Sequence, residues 1–240
     1  MIDYIIVDDW YSDPDRVKTF GISQFSKSTK DGESRVDENG YGLFPGYRSK
    51  SNISNLIENK DKIEKHTGCS IDPEKWIYAN TCDFKDETQL LEFDFSSLTN
   101  NTMGMRVRGS DVSLNIKDSL SNGCFQYCPE TSTKWIHSDS LNTYAAVVYL
   151  NPDADKDSGT GFYRHKESGK ESEKDPGIVL PKEECIDFDK WELINYVENI
   201  YNRCIIFDAK KYHSATKYFG TTLEDSRFTQ VFFFDLKESK

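Results

Sequence analysis

Long apolar runs are missing from this sequence of 240 residues, and the first residues, Met1 to Tyr4, form no basic segment ahead of an apolar one. A membrane-spanning helix needs about 20 consecutive apolar residues, and a signal peptide needs a basic start before its apolar stretch. We therefore expect neither a membrane span nor a signal peptide. The expected location is the cytoplasm, where thiols stay reduced.

Closely paired cysteines and an excess of basic residues are also missing. The six cysteines include no Cys-x-x-Cys pair, which argues against a zinc finger. Lysine and arginine number 30 against 41 for aspartate and glutamate, so the net charge is −11. Such a chain has no general attraction to the phosphate backbone, which supplies much of the affinity for nucleic acids. A nucleic-acid partner is thus disfavoured, although a local basic patch would still permit one.

The second half of the chain contains short runs of apolar, β-branched and aromatic residues between turn-forming residues. Several short strands separated by turns are typical of a β-sandwich or barrel. The stretch 187–201 fits either a helix or a strand, and we favour the strand because turn-like residues precede Cys204. The strand-like runs are 124–128, 135–139, 143–150, 160–165, 203–208, 212–217 and 227–235.

The first half mixes strand and helix signals. Residues 2–7 are apolar enough for a buried strand. Asp13 followed by Pro14 predicts a helix start, because Asp caps helices and Pro suits the first helical position. A second helix is predicted from Ser51 to the stop signal Gly68.

These signals predict a single domain over residues 1–240. It would be mainly β with flanking helices, with an N-terminal α/β elaboration (1–118) packed on a β core (119–240). The stretch 166–177 is charged and lacks apolar anchors. We predict that it forms a mobile, solvated loop and favour a plain insertion over a lid.

The pair His137 and Asp139 is the most informative motif. Side chains at positions i and i+2 of a strand point to the same face, so one metal ion can bind both. His213 lies just after the apolar run that ends at Asp208, and it can complete the set. Two imidazoles and one carboxylate on one face of an octahedral ion are typical of non-haem Fe(II) oxygenases. His66 and His165 have weaker contexts, and neither is assigned to the metal.

Arg227 opens the aromatic strand-like run at 227–235. A charged residue that enters such a strand needs a partner if it is buried. A bound carboxylate would serve, because the guanidinium group matches a carboxylate with two parallel hydrogen bonds. An exposed arginine at the end of a strand is the alternative.

Taken together, residues from about 123 to 235 resemble the 2-oxoglutarate/Fe(II)-dependent dioxygenases, in particular their prolyl-4-hydroxylase-like branch. That family has, in order, His-x-Asp, a strand ending in Tyr-Leu-Asn, a Gly-rich turn, a distal His and an Arg. The corresponding residues here are His137-Ser138-Asp139, Tyr149-Leu150-Asn151, Ser158-Gly159-Thr160-Gly161, His213 and Arg227. The spacing from His213 to Arg227 is longer than is usual in the family, because of the turn at 219–225.

The resemblance implies a double-stranded β-helix core, which is a jelly-roll variant of the cupin type. It implies that His137, Asp139 and His213 bind Fe(II), and that the cosubstrates are 2-oxoglutarate and O2. The enzyme would hydroxylate a C–H bond of a peptidyl residue or an amino acid and release succinate and CO2. The implied contacts to 2-oxoglutarate are Arg227, Tyr149, Thr229 and, as a supporting contact, Tyr127.

Two other readings use the same residues. A zinc-dependent hydrolase would bind its metal through His137, Asp139 and His213 but would need a general base and no 2-oxoglutarate site. A non-catalytic jelly-roll binding protein would keep the fold without chemistry. An intact set of ligands argues against the second of these, and Arg227 with Tyr149 argues against the first.

Overall fold

The computed structural model describes residues 3–26, 45–49, 56–71, 76, 122–139, 142–173 and 182–237. Within them the chain is mostly antiparallel β-sheet with few helices. The helices are α1 (Pro14–Ser26), α2 (Leu56–Thr67) and α3 (Lys182–Ile186). The strands are β1 (Tyr4–Val7), β2 (Tyr47–Arg48), β3 (Cys124–Cys128), β4 (Tyr144–Tyr149), β5 (Thr160–His165), β6 (Trp191–Val197), β7 (Cys204–Asp208), β8 (His213–Ala215) and β9 (Arg227–Phe234).

Two sheets are formed from these strands. The larger has the order β1-β7-β4-β9-β3-β2, and the smaller has the order β6-β5-β8. Neighbouring strands pair antiparallel, with Tyr149 opposite Thr229 and Thr229 opposite Gln126 in the larger sheet. An isolated bridge between His137 and His213 adds the segment before β4 to the free side of β8.

The larger sheet is covered on both faces, as alternation along β9 shows. Phe228, Phe232 and Phe234 belong to a core that also contains Ile63 of α2. Arg227, Thr229, Val231 and Phe233 point the other way and line a cavity on the side of the smaller sheet. There Phe162 of the smaller sheet packs in one cluster with Tyr149 and Phe207 of the larger. Full burial of an aromatic ring contributes about 1.5–3 kcal/mol, so both faces stabilise the sheet.

The predicted helix signals are confirmed where the structure describes them. The Asp13 carboxylate accepts a hydrogen bond of 3.0 Å from the Arg16 amide, and α1 begins at Pro14. Gly21 lies where α1 meets β3, since a Cβ there would be 2.6 Å from the Phe125 ring. Gly68 follows α2 with φ of +69°, the left-handed conformation that ends many helices.

Three sequence predictions need correction. Residues 135–139 do not form a continuous strand, because only His137 makes a bridge. The stretch 187–201 begins with a 3₁₀ turn at Phe188–Lys190 before strand β6. The charged loop is anchored at Glu173, whose amide donates to the Lys210 carbonyl at 2.9 Å; its remainder, 174–177, lies outside the described residues.

Much of the expected N-terminal elaboration also lies outside the described residues, including 27–44 and 77–121. In the part of the chain that the structure does describe, no helix combines the length and the apolar character needed to cross a bilayer.

Candidate metal centre

Three side chains that could bind a metal ion come together between the two sheets. His137, Asp139 and His213 each offer a ligand atom, and these atoms all lie within 4.8 Å of one another. The Nε2 atom of His213 is 3.6 Å from Asp139 Oδ2, and that of His137 is 3.9 Å from Asp139 Oδ1. The two imidazole rings are 4.5 Å apart between centroids.

Backbone hydrogen bonds fix this arrangement. The His213 amide donates to the His137 carbonyl at 2.8 Å, and the His137 amide donates to the His213 carbonyl at 3.1 Å. The Asp139 amide donates to the Ala209 carbonyl at 2.7 Å, just before β8. The carboxylate is thereby carried to the same side as both rings, although the segment around it is not a regular strand.

Each imidazole is oriented by a carbonyl oxygen of its own segment. His137 Nδ1 lies 3.2 Å from the Trp135 carbonyl, and His213 Nδ1 lies 2.8 Å from the Lys211 carbonyl. A carbonyl only accepts hydrogen bonds, so each Nδ1 carries the proton when the ring is neutral. Both Nε2 atoms then present lone pairs toward Asp139. This is the tautomer in which each ring can bind a metal ion through Nε2.

Burial, followed by the charge of His213, lowers the pKa of His137 to about 4. The smaller effect of the Arg48 charge acts in the same direction. The ring of His137 is therefore neutral at pH 7 and is available as a ligand without first losing a proton.

The donor set fits a small divalent metal ion. Imidazole nitrogens bind such ions at about 2.0–2.1 Å, so neighbouring ligand atoms at right angles are roughly 3 Å apart. The observed separations exceed this by less than 2 Å, which small rotations of the side chains can close. His66 and His165 lie elsewhere, His66 beside the Trp10 ring and His165 bonded to the Ser168 hydroxyl.

A cavity extends from the three ligands between the sheets. Its volume is about 70 Å³. A buried water needs about 10–15 Å³, so the cavity has room for several waters or a small ligand. Near the ligands its walls include Phe207, whose ring is 4.8 Å from that of His213. Its other lining residues include Arg48, Gln126, Ala145, Val147, Thr160, Tyr218, Arg227, Thr229, Val231 and Phe233.

Arg227 lies in the cavity wall away from the metal ligands, and its side chain is buried with 6% of the residue exposed. Its Nε donates to the Ser158 carbonyl at 2.9 Å, and its guanidinium lies 5.5 Å from the centre of the Tyr149 ring. No carboxylate pairs with it among the described residues. Burial of an unpaired charge is costly, so this guanidinium is suited to an anionic ligand.

Two other predicted 2-oxoglutarate contacts have defined positions near Arg227. Thr229 is buried and lines the cavity on the same face of β9. Tyr149 is also buried, and its hydroxyl is 2.7 Å from the Thr160 hydroxyl. Thr160 itself lines the cavity, so Tyr149 supports the wall from behind.

Tyr127 lies on the other face of the larger sheet, and its contact with 2-oxoglutarate remains a prediction. Its ring stacks on Tyr47 with centroids 4.7 Å apart and meets Phe25 edge to face. These contacts belong to the helix-covered face of the larger sheet. Successive residues of a strand face opposite sides, and it is Gln126 that reaches the cavity.

Sequence reasoning missed Arg48 and Gln126. Arg48 Nε donates to Gln126 Oε1 at 2.9 Å, and both side chains line the cavity. Arg48 lies on a strand of two residues that, among the described strands, pairs with β3, and no periodicity can be read from two residues. The turn residues Pro45 and Gly46 before it were the only available signal.

Comparisons with known proteins add little at the level of sequence. No protein-family model matches the chain, and no curated protein matches it. Among solved structures, the chain is similar to a prolyl hydroxylase from Trichoplax adhaerens in complex with a peptide fragment of the hypoxia inducible factor oxygen degradation domain. The TM-score is 0.43 and the identity is 8%, over 97% of this chain and 83% of that chain.

Proposed function

We propose that this chain is an Fe(II)- and 2-oxoglutarate-dependent oxygenase that hydroxylates a C–H bond of a peptidyl residue or an amino acid. The single observation that carries the proposal is one cavity with two features: a two-histidine, one-carboxylate ligand set and a buried guanidinium without a carboxylate partner in the described part. The first suits iron with open coordination positions. The second suits a cosubstrate that ends in a carboxylate.

The proposed core is a double-stranded β-helix. Its support is the pairing of strands into two antiparallel sheets that pack face to face through Phe162 and Phe207. The bridge between His137 and His213 adds a further segment to the smaller sheet. Jelly-roll proteins close two such sheets around an interior that can enclose a ligand cavity.

The metal ligands would be His137, Asp139 and His213. When bound, Fe(II) and 2-oxoglutarate together activate O2 and supply the oxidising power for C–H hydroxylation, with release of succinate and CO2. The carbonyl oxygens of Trp135 and Lys211 hold both imidazoles as the tautomers that donate through Nε2. Asp139 would supply one negative charge. The three side chains together would leave other coordination positions free for 2-oxoglutarate and O2.

The remaining cavity residues would bind the cosubstrate and exclude water. Arg227 would bind its distal carboxylate through two hydrogen bonds, and the Thr229 hydroxyl is on the same face of β9 to add a third. Ala145, Val147 and Val231 form an apolar part of the cavity wall between the three candidate metal ligands and Arg227. Such a wall lowers the local dielectric and strengthens the ion pair with Arg227.

The proposal is tested by spectroscopy without O2. Purified protein freed of metal is mixed anaerobically with Fe(II) and then with 2-oxoglutarate, and the visible metal-to-ligand charge-transfer band is recorded. We expect the band in wild type and its loss in His213→Ala, with His66→Ala as a matched control that keeps it. Binding of zinc without any binding of 2-oxoglutarate would favour the hydrolase, and absence of metal binding would favour a binding module without chemistry.

A further inference from the structure

Tyr218 has a buried side chain whose hydroxyl lacks a partner. The residue is 8% exposed, and it lines the same cavity as Arg227. Its hydroxyl makes no hydrogen bond to any of the residues that the structure describes. Buried polar groups in folded proteins nearly always have such a partner, because leaving one without is costly. The hydroxyl of Tyr218 therefore indicates that a ligand in the cavity supplies the partner.

The segment after β8 brings Tyr218 to this place. The Thr216 amide donates to the Gly159 carbonyl at 3.2 Å, next to the smaller sheet. Three residues later the Phe219 carbonyl accepts from the Arg227 amide at 3.3 Å, where β9 of the larger sheet begins. Tyr218 thus lies in a crossing between the two sheets that hydrogen bonds fix at both ends. It directly precedes the residue whose backbone pairs with Arg227.

The state of the Tyr218 hydroxyl suits a hydrogen bond to an anion. Burial, followed by the nearby Cys128, raises the pKa of Tyr218 well above its usual value. The charges of Arg227 and Arg48 act in the opposite direction, so both guanidinium groups influence this hydroxyl. The phenol keeps its proton at pH 7 and can donate it in a hydrogen bond. A carboxylate that accepts this hydrogen bond would also be attracted by the guanidinium groups.

A carboxylate bound at Arg227 has a lone pair left for this hydroxyl. The Arg227 Nε already donates to a backbone carbonyl at 2.9 Å, so the two terminal amino groups remain for a ligand. A carboxylate accepts about four hydrogen bonds. Two would come from Arg227 and one from Thr229, on the same face of β9. Tyr149 bonds to the Thr160 hydroxyl at 2.7 Å and does not itself line the cavity, whereas Tyr218 lines it with an unused hydroxyl.

We propose that Tyr218, rather than Tyr149, donates a hydrogen bond to the distal carboxylate of 2-oxoglutarate and thereby selects a cosubstrate that ends in a carboxylate. This inference rests on the proposed function and deepens it. Arg227 would supply the charge, and Tyr218 would complete the set of donors. A cosubstrate with an apolar end would leave the hydroxyl and the guanidinium buried without partners, so it would bind more weakly.

The test compares 2-oxoglutarate with 2-oxopentanoate, which has the same keto acid and the same number of carbons but ends in a methyl group. Each acid is titrated anaerobically into protein loaded with Fe(II), and the charge-transfer band gives its dissociation constant. Tyr218→Phe should weaken the binding of 2-oxoglutarate by about tenfold or more, the effect of losing a hydrogen bond to a charged group. The binding of 2-oxopentanoate should not weaken, so the preference between the two acids should fall by the same factor.

Tyr144→Phe is the matched control, and Tyr149→Phe tests the competing assignment. Tyr144 is also a buried phenol, but it stacks on Phe234 in the core on the helix-covered face of the larger sheet. Its loss should leave the preference for 2-oxoglutarate at the wild-type value. Tyr149→Phe should reduce the preference less than Tyr218→Phe does. The opposite order would overturn the assignment of Tyr218.

A second readout needs neither metal nor cosubstrate. In the metal-free protein, Tyr218→Phe should keep or raise the free energy of unfolding, because it removes a buried hydroxyl that has no partner. Tyr149→Phe should lower it, because the hydrogen bond to Thr160 is lost. An equal loss of stability in both variants would mean that the Tyr218 hydroxyl has a partner within the chain, and it would overturn the assignment.

The two proposals fail in different ways. If wild type forms no charge-transfer band with either acid, the proposed function fails and the role of Tyr218 fails with it. If the band forms but Tyr218→Phe binds 2-oxoglutarate as tightly as wild type, or weakens both acids equally, only the assignment of Tyr218 is overturned.

Discussion

His137 and His213 pair through two reciprocal backbone hydrogen bonds, of 2.8 and 3.1 Å, although they are far apart in the chain. This pairing sets their rings 4.5 Å apart with both Nε2 atoms near one carboxylate. The candidate metal site therefore depends on the register between β8 and the segment before β4. A shift of one residue would turn one ring to the other face of the sheet.

The first prediction concerns stability and pH in the metal-free protein. Burial, with the charge of His213, lowers the pKa of His137 to about 4, whereas in the unfolded chain it is about 6.5. The unfolded state binds more protons between these values, so the free energy of unfolding falls as the pH falls from 6.5 to 4. The full shift corresponds to about 3 kcal/mol, and we expect less because the His137 side chain is 32% exposed.

Urea unfolding of wild type and His137→Gln across this range measures the effect. The glutamine variant lacks the titrating ring but keeps a polar side chain. The difference in the free energy of unfolding between the two proteins should shrink or reverse as the pH falls from 6.5 to 4. A constant difference would mean that the pKa of His137 is not lowered in the folded protein.

The second prediction concerns Arg227. Arg227→Met keeps a long side chain but removes the buried charge, so the 2-oxoglutarate concentration needed for half-saturation should rise by about 10–100-fold, the effect of losing charge-assisted hydrogen bonds. Fe(II) affinity should be unchanged, because Arg227 is not a ligand. Anaerobic titrations followed at the charge-transfer band measure both constants.

Arg164→Met is the matched control for Arg227→Met. Arg164 is partly exposed and pairs with Glu171 and Glu192 on the smaller sheet. Its loss should change neither constant. An unchanged requirement for 2-oxoglutarate in Arg227→Met would move the anchor to another residue.

The third prediction distinguishes the two faces of the larger sheet. Thr229→Val should raise the 2-oxoglutarate requirement by about 2–10-fold, the effect of one hydrogen bond between uncharged or partly charged groups. Tyr127→Phe should leave it unchanged, because Tyr127 packs against Tyr47 and Phe25 on the opposite face. The same titration tests both variants, and a larger effect of Tyr127→Phe would contradict the orientation of β3.

The positions of the candidate metal ligands, of β3 and of Arg48 show what could and could not be predicted from the sequence. His137 and Asp139 share a side because of their spacing, and His213 follows a strand whose apolar pattern is clear, so local rules brought all three into consideration. The orientation of β3 could not be predicted in this way, since four of its five residues are buried and alternation is lost when both faces are covered. Arg48 reaches the cavity only through the pairing of β2 with β3, which is a tertiary contact.

The fourth prediction concerns the turn that places Arg48. Gly46 has φ of +68°, and a Cβ there would be 2.2 Å from the Tyr127 carbonyl oxygen. Gly68 has nearly the same φ, +69°, but a Cβ there would meet nothing within 4 Å. Gly68→Ala should therefore lower the free energy of unfolding only by the cost of the left-handed conformation, about 1–2 kcal/mol. Gly46→Ala should lower the free energy of unfolding by clearly more, because the backbone of β2 or β3 must also move.

Urea unfolding of both alanine variants gives the two free energies of unfolding, and the difference between them isolates the clash from the conformational cost. Equal losses of stability in the two variants would show that the backbone at Gly46 can move away from Tyr127 without strain. The position of Arg48 would then be set by its contacts with Gln126 and Phe233 rather than by the turn.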